Sequence, residues 1–446
     1  MSSVLAGRRV LVWGFGRHGG GLAAARFCAA RGATVAILDA KAPADLGPDA
    51  VEAAARGWIW HQGDGRHAAL DHCDLIVASP AIPPRAWPAV HAPATSPEGL
   101  FCAAHRGQRV AVTGTKGKST TARILGTLLG WEVAGNSYEP LLDVLERVGP
   151  AAPLVCELSS FQLYYLSGAT GLVKEAPVQP DTMPGFSAAI ITSLAVDHLD
   201  WHPDLDHYHR SKMGVLSQAQ AWALAPEIHP RLDAGYLSQS RLVPAVYFNG
   251  QAFSDAAGIL ASREDVPLLG VHNARNAALA IATALHLGLE RTQVATRLAA
   301  VRPLPHRLET VHAAAGLRFV NDSIATTPES ALAGIASFTG PLAVILGGSD
   351  KGATWELLAS TIARQAASQH LVPVVIGQTG RAIAAALAQV GIASQGAATL
   401  VDAVALAVAA LPGGGTVLLS PACASFDMFQ GFEERGRIFA ELARKW

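Results

Sequence analysis

The sequence predicts an α/β chain of three domains: a Rossmann-like N-terminal domain, a central P-loop ATPase-like domain and a C-terminal Rossmann-like domain. Three observations predict it. Short β-branched runs alternate with alanine-rich helical stretches along the whole chain, which is the arithmetic of βαβ units and of a doubly wound parallel sheet. Two glycine-rich strand-to-helix turns, at Gly14 and at Gly114, have the composition of phosphate-binding loops. The 446 residues are also too many for one hydrophobic core. Boundaries are expected to give domains over residues 1–95, 96–300 and 301–446.

The first domain opens with Arg9-Val10-Leu11-Val12-Trp13 as a strand, then Gly14-Phe15-Gly16-Arg17-His18-Gly19 and a helical stretch from Leu22 to Arg31. A second strand, Thr34 to Leu38, ends at Asp39. That is G-x-G-x-x-G in a βαβ unit with an acid about 20 residues on, as nucleotide-binding units have. By itself it suits an NAD-dependent dehydrogenase, or a glycine-rich helix start that binds nothing. Leu75 to Ser79 is a further buried strand, and six of the 26 prolines lie between residues 80 and 97, so a linker is expected near 93–98.

The central domain is organised around Thr113-Gly114-Thr115-Lys116-Gly117-Lys118-Ser119-Thr120. Backbone N–H groups of such a turn and the positive end of the following helix face one spot, where a triphosphate is stabilised. Lys118 would reach the β and γ phosphates, and the hydroxyl of Ser119 or Thr120 would sit on Mg²⁺. The strict G-x-x-x-x-G-K-[ST] pattern is not met, because Val112 holds the place of its first glycine. Further on, Gly135-Asn136-Ser137 is a turn presenting an amide, and Leu154 to Glu157 is a buried strand ending in an acid. Ligands collect at the carboxyl ends of strands in open α/β sheets, so Glu157 is expected to face the phosphate loop and hold Mg²⁺.

The strand Ala188 to Leu194 runs into Asp197-His198-Leu199-Asp200-Trp201-His202. Its ionisable groups resemble a zinc site, but no second cluster has ligand spacing, and Mg²⁺ needs few protein ligands. His198 is therefore expected beside phosphate as ligand or orienter, with His202, His207 and His209 on the surface. Lys212 reads as a surface lysine on a helix. The alternative is an amine whose lowered pKa lets it react with CO₂ to form a carbamate. Asn273 and Asn276, before a helix expected from Ala277 to Leu287, share a face as an adenine site would use them, or Asn273 merely caps the helix.

In the last domain Leu304-Pro305-His306-Arg307-Leu308-Glu309 reads as an exposed turn, Leu317 to Asp322 as a strand ending in an acid, and Pro328 as a helix start. Further strands follow at Leu342 to Leu346, at Val374 to Ile376 opened by Pro373, and at Thr416 to Ser420 before Pro421-Ala422-Cys423-Ala424-Ser425-Phe426-Asp427. A charged amphipathic helix comes last.

Composition narrows the partners. Half the residues are hydrophobic, 15% are charged and the formal net charge is −1, which argues against disorder and against a basic nucleic-acid surface. No apolar run approaches the length of a membrane span. The five cysteines are scattered, odd in number and never in C-x-x-C spacing, so a reducing cytoplasm is expected.

With these stretches in place, the chain resembles the Mur ligases from end to end. T-G-T-K-G-K-S-T, E-L-S-S-F-Q-L, D-H-L-D with a later Y-H-R-S-K, G-x-H-N-x-x-N, L-P-H-R, N-D-S-x-A-T and S-P-A-C-A-S-F-D-x-F occur in the family's order. Several are shared with folylpolyglutamate synthetases; the last points to members that add glutamate to UDP-N-acetylmuramoyl-L-alanine. The resemblance implies ATP-dependent ligation through an acyl phosphate, with D-glutamate expected and L-glutamate the alternative, by a cytoplasmic monomer. It implies ATP contacts at Gly114, Thr115, Lys116, Gly117, Lys118, Ser119, Thr120, Asn273, Asn276, Arg307 and Asp322. Catalysis would fall to Lys118, Glu157, His198 and Lys212, and Mg²⁺, as one ion or two, to Ser119, Glu157, His198 and carbamylated Lys212. The uridine substrate would be met by Gly14, Arg17, His18, Asp39, Asn136 and Ser159, so that the Gly14 loop binds UDP and not NAD. Glutamate would be held by Thr326, Lys351, Ser425 and Phe432. One departure stands out: many relatives carry a lysine where this chain has Ile324.

Overall fold

The computed structural model describes residues 2–17, 19–62, 66–166, 185–231, 242–350 and 352–446. His18 and Lys351, two of the expected site residues, lie outside them. The chain divides into two compact units, Met1–Arg263 with Arg275–Leu298, and Glu264–Ala274 with Ala299–Trp446.

The first unit carries two five-stranded parallel sheets. One is made of β1 (Arg9–Trp13), β2 (Thr34–Asp39), β3 (Ile59–Gln62), β4 (Leu75–Ala78) and β5 (Ala94–Thr95), in the order β3-β2-β1-β4-β5. Ala94 and Thr95, within the stretch expected to be a linker, pair in parallel with β4. The other contains β6 (Arg109–Thr113), β7 (Glu132–Gly135), β8 (Leu154–Glu157), β9 (Ala188–Ile191) and β10 (Trp222–Leu224), in the order β10-β9-β6-β8-β7. In each sheet the first strand lies in the middle and its successors fall on both sides. The crevice at the carboxyl end of that strand is therefore a topological switch point, where α/β sheets place ligands.

Strands β6, β8 and β9 are buried on both faces, as a parallel sheet between helices requires, and this explains why apolar residues dominate them. Each fully buried Val, Ile or Leu contributes roughly 1.5–3 kcal/mol, so the strand ends that present the loops are held by a stiff base. A small antiparallel sheet of β11 (Tyr247–Phe248), β12 (Ala252–Asp255) and β13 (Gly258–Ser262) follows.

The second unit has a six-stranded sheet of β14 (Glu309–Ala314), β15 (Leu317–Asn321), β16 (Leu342–Leu346), β17 (Leu371–Val375), β18 (Gln395–Gly396) and β19 (Gly415–Leu419), ordered β14-β15-β19-β16-β17-β18. Only β14 runs antiparallel to its neighbour. Pro373 lies inside β17 and does not open it, since Leu371 and Val372 already pair with β16. Beside it β18 reaches only Val374 and Val375, so the ladder has no use there for the N–H that proline lacks.

Candidate active site

The phosphate loop leaves β6 and enters the helix Lys118–Leu129. Gly114 has φ 145°, and a Cβ there would lie 2.1 Å from the Thr192 hydroxyl. Gly117 has φ 88°, and a Cβ there would lie 2.6 Å from Asn276 Oδ1, so both positions need glycine. The end of β9 buttresses the loop. Thr115 N–H donates to the Ser193 carbonyl at 2.9 Å, Lys116 N–H to Ser193 Oγ at 2.9 Å, and the Ser193 hydroxyl to the Lys116 carbonyl at 3.0 Å. Lys118 Nζ turns back onto the loop and donates to the carbonyls of Gly114 at 2.9 Å and Thr115 at 3.0 Å. Tyr138 OH donates to the Ser119 carbonyl, which fixes the first helical turn.

Register brings the acid to this loop, because Val112 of β6 pairs with Glu157 of β8. Glu157 is fully buried. Its Oε1 accepts from Asn136 Nδ2 at 2.9 Å and from the Ser137 hydroxyl at 3.1 Å, while Oε2 has no hydrogen-bond partner among the described residues. A buried carboxylate oxygen is costly to leave bare. Cation coordination would satisfy it. Among the described residues no three His, Cys, Asp or Glu side chains cluster in a way that would enclose a metal. Mg²⁺ keeps waters and phosphate oxygens and takes few protein ligands, so a single bare carboxylate oxygen can serve it.

Beyond β9, His198 adopts left-handed backbone with φ 54°. Its ring stands edge-on to Phe161 at 4.9 Å, and burial holds its pKa below the ordinary histidine value, favouring the neutral imidazole. Lys212, on the helix Leu205–Met213, is 1% exposed, so it is not a surface lysine. Its Nζ lies 4.7 Å from the centroid of the Tyr208 ring. Burial first, and the like charge of Lys118 second, hold its pKa well below the usual lysine range. Tyr208 in turn donates to Thr115 Oγ1 at 3.1 Å, tying this helix to the phosphate loop.

His202, expected at the surface, is completely buried. Its Nε2 meets Ser160 Oγ at 2.9 Å and its Nδ1 meets His207 Nδ1 at 2.8 Å. Trp201, Phe161 and Tyr208 pack around it, a placement that no spacing in the chain signals. Ser159 caps the helix Ser160–Leu166: its Oγ accepts from Gln162 N–H, and its own N–H donates to Gln162 Oε1.

In the first sheet, Asp39 accepts from Gly16 N–H at 3.2 Å and Lys41 N–H at 2.9 Å, and so fastens the glycine loop. Arg17 donates from Nε to the Asp45 carbonyl at 2.8 Å.

The helix Val271–His286 begins six residues earlier than expected, so Asn273 and Asn276 both lie inside it. Asn273 does not cap it: its Nδ2 donates to the Leu269 carbonyl at 2.7 Å, one turn back.

In the second unit, Asp322 accepts from Leu308 N–H at 3.3 Å and from the Ser420 hydroxyl at 2.8 Å. Burial pushes its pKa up to about 7. The folded chain thus keeps a proton there that an unfolded chain releases near pH ~4, and between those values stability falls as pH rises. Asp322→Asn is expected to flatten that slope by on the order of a few kcal/mol across the range. Urea midpoints at pH 5 and pH 8 check it; an unchanged slope in the variant counts against the assignment. Thr326 N–H donates to the Ile324 carbonyl, Ser425 is buried, and the Phe432 ring stands edge-on to His306 at 6.1 Å.

Sequence reasoning missed Thr192, Ser193, Tyr208 and Arg435. The first two had a signal, since they follow the buried run of β9. Arg435 had another: it shares the buried face of the helix Phe432–Ala443 with Gly436, Phe439, Leu442 and Ala443.

A family model described as "Mur ligase, glutamate ligase domain" matches residues 306–423. Two curated relatives align with 99% of the chain. UDP-N-acetylmuramoyl-L-alanine–L-glutamate ligase of Xanthomonas euvesicatoria is 35% identical over 96% of its own length. UDP-N-acetylmuramoylalanine–D-glutamate ligase of Roseiflexus sp. is 31% identical over 99% of its own length. Among solved structures, UDP-N-acetylmuramate–alanine ligase of Thermotoga maritima matches with a TM-score of 0.59 and 15% identity, covering 98% of this chain and 99% of that one, which speaks for the fold alone. The order of the parallel sheets, the glycine-dependent phosphate loop with its buried acid and lysine, and identity along almost the whole length agree: this chain belongs to the Mur ligase family, in the company of its muramoyl-alanine–glutamate ligases.

Proposed function

We propose that this chain joins glutamate to UDP-N-acetylmuramoyl-L-alanine at the expense of ATP, releasing ADP and orthophosphate, as a cytoplasmic, monomeric step in making peptidoglycan precursors. One observation carries the reading: buried Glu157 with its bare Oε2, His198 and buried Lys212 gather around a phosphate loop whose helix starts at Lys118.

The loop's N–H groups and Lys118 would take the triphosphate, with Thr115, Lys116, Gly117, Ser119 and Thr120 lining it. Mg²⁺ would be held by Ser119, Glu157, His198 and carbamylated Lys212, and would neutralise phosphate charge when bound. Lys212 suits the carbamate because a neutral amine is what adds to CO₂; the product is an anion that the nearby cation Lys118 favours. Asn136 and Ser137 orient Glu157.

A carboxylate is a poor acyl donor, so the γ-phosphoryl group first passes to the carboxylate of the muramoyl-alanine, and the neutral amine of glutamate then displaces phosphate. The Gly14 loop, with Arg17, His18 and Asp39, would bind the uridine end, and Ser159 would lie toward the same substrate. Asn273, Asn276, Arg307 and Asp322 would contact ATP; Thr326, Lys351, Ser425 and Phe432 would hold glutamate. Domains over 1–95, 96–300 and 301–446 would then each carry one substrate.

A second reading concerns handedness. Relatives named for L-glutamate are 33–35% identical and relatives named for D-glutamate 31–32%, so both enantiomers are carried into the test. The test uses purified protein with magnesium, ATP, UDP-N-acetylmuramoyl-L-alanine and either enantiomer. Orthophosphate release that requires both co-substrates, with a new amide in the product, is expected. No orthophosphate with either enantiomer overturns the function, and chiral analysis of the consumed amino acid decides the hand.

A further inference from the structure

Arg435 is 1% exposed and forms no ion pair with any carboxylate among the described residues. A buried guanidinium without a direct ion pair is expensive unless its donors find acceptors. Four hydrogen bonds go to two loops. Nε donates to Ser323 Oγ at 2.9 Å and one terminal nitrogen to the Ser323 carbonyl at 2.8 Å; the same nitrogen donates to the Cys423 carbonyl at 3.1 Å, and the other reaches the Ala424 carbonyl at 3.4 Å. The Ser323 hydroxyl passes the connection on, donating to the Phe432 carbonyl at 2.8 Å.

Three of the four residues read above as glutamate contacts lie next to this network. Thr326 follows Ser323 by three positions, Ser425 follows Ala424 directly, and the Phe432 carbonyl is held through Ser323. We propose that Arg435 is a positioning residue for the acceptor amino acid: its planar fork sets the spacing between the Ser323–Thr326 loop and the Cys423–Ser425 loop. Its positive charge, on which the Asp427 carboxylate also acts, favours an anionic ligand there. A lysine in its place would keep the charge and lose the fork, since an ammonium cannot reach both loops in one plane.

This inference rests on the reading of Thr326, Ser425 and Phe432 as glutamate contacts. The experiment compares the unaltered protein with Arg435→Met, Arg435→Lys and Ser323→Ala, measuring KM separately for glutamate, ATP and the uridine-linked substrate, with thermal unfolding alongside. Arg435→Met is expected to raise the glutamate KM by about 10- to 100-fold, Arg435→Lys by less, and Ser323→Ala by about 3- to 10-fold, the other two KM values staying within about two-fold. If Arg435→Met does not fold, Ser323→Ala decides by the same criterion. An unchanged glutamate KM in folded variants, or three KM values rising together, overturns the proposal. No turnover in the unaltered protein overturns the functional reading and this inference with it.

Discussion

Lys118→Ala is expected to lower turnover by at least about two orders of magnitude while leaving the fold in place. The amine that would meet the phosphates rests on the carbonyls of Gly114 and Thr115. Those two bonds cap a loop that Thr192 and Ser193 already hold from the other side, so their loss costs about 1 kcal/mol of stability or less apiece. What is lost is charge placed where the transferring phosphoryl group spreads its own. Steady-state orthophosphate release, with the thermal midpoint as the control for folding, tests it. Turnover within a few-fold of the unaltered protein would remove Lys118 from the mechanism.

Lys212→Ala is the second large effect, with turnover expected to fall by two orders of magnitude or more and to recover in part when a short carboxylic acid is added. The logic is that of a vacancy with a known charge. If the side chain acts as a carbamate, its truncation leaves a space beside Lys118 and His198 that formate or acetate can enter as a substitute anion. If it acts as an ammonium, added anions do nothing and methylamine restores activity instead. Rescue by the amine and not by the acid would therefore overturn the carbamate. The charge balance of the site gives the first outcome its weight, because an ammonium there would be buried close to another cation, and burial already drives it toward the neutral form.

Much of the fold was legible in the chain. Buried parallel strands must be apolar on both faces, so Val110–Thr113, Leu154–Cys156 and Ala188–Ile191 stand out as apolar or β-branched runs, and glycines with φ near 145° and 88° mark the turn from the first of them into its helix. Helix ends were less legible. The helix Val271–His286 starts well before its alanine-rich part because nothing in Val271-His272-Asn273 forbids helix, and the asparagine that looked like a cap bonds back one turn as a donor.

For the site, the chain named the chemical groups but not their states. Lys212 and Arg435 are charged letters on helices and His202 lies in the bend before one, yet all three are buried. Part of that burial comes from groups distant in the chain, Ser160 beside His202 and Ser323 beside Arg435, and part from the same helix, where Tyr208 lies one turn from Lys212. The sequence by itself determined the alternating αβ architecture, the phosphate loop and the identity of the acid and lysine near it, because these depend on local backbone sterics and on which residues tolerate burial. Only the tertiary structure decided which ionisable groups lose their water and which neighbours they then face, and that sets their charge, since the free energy of a charge depends on everything within a few ångströms of it, whatever the separation along the chain.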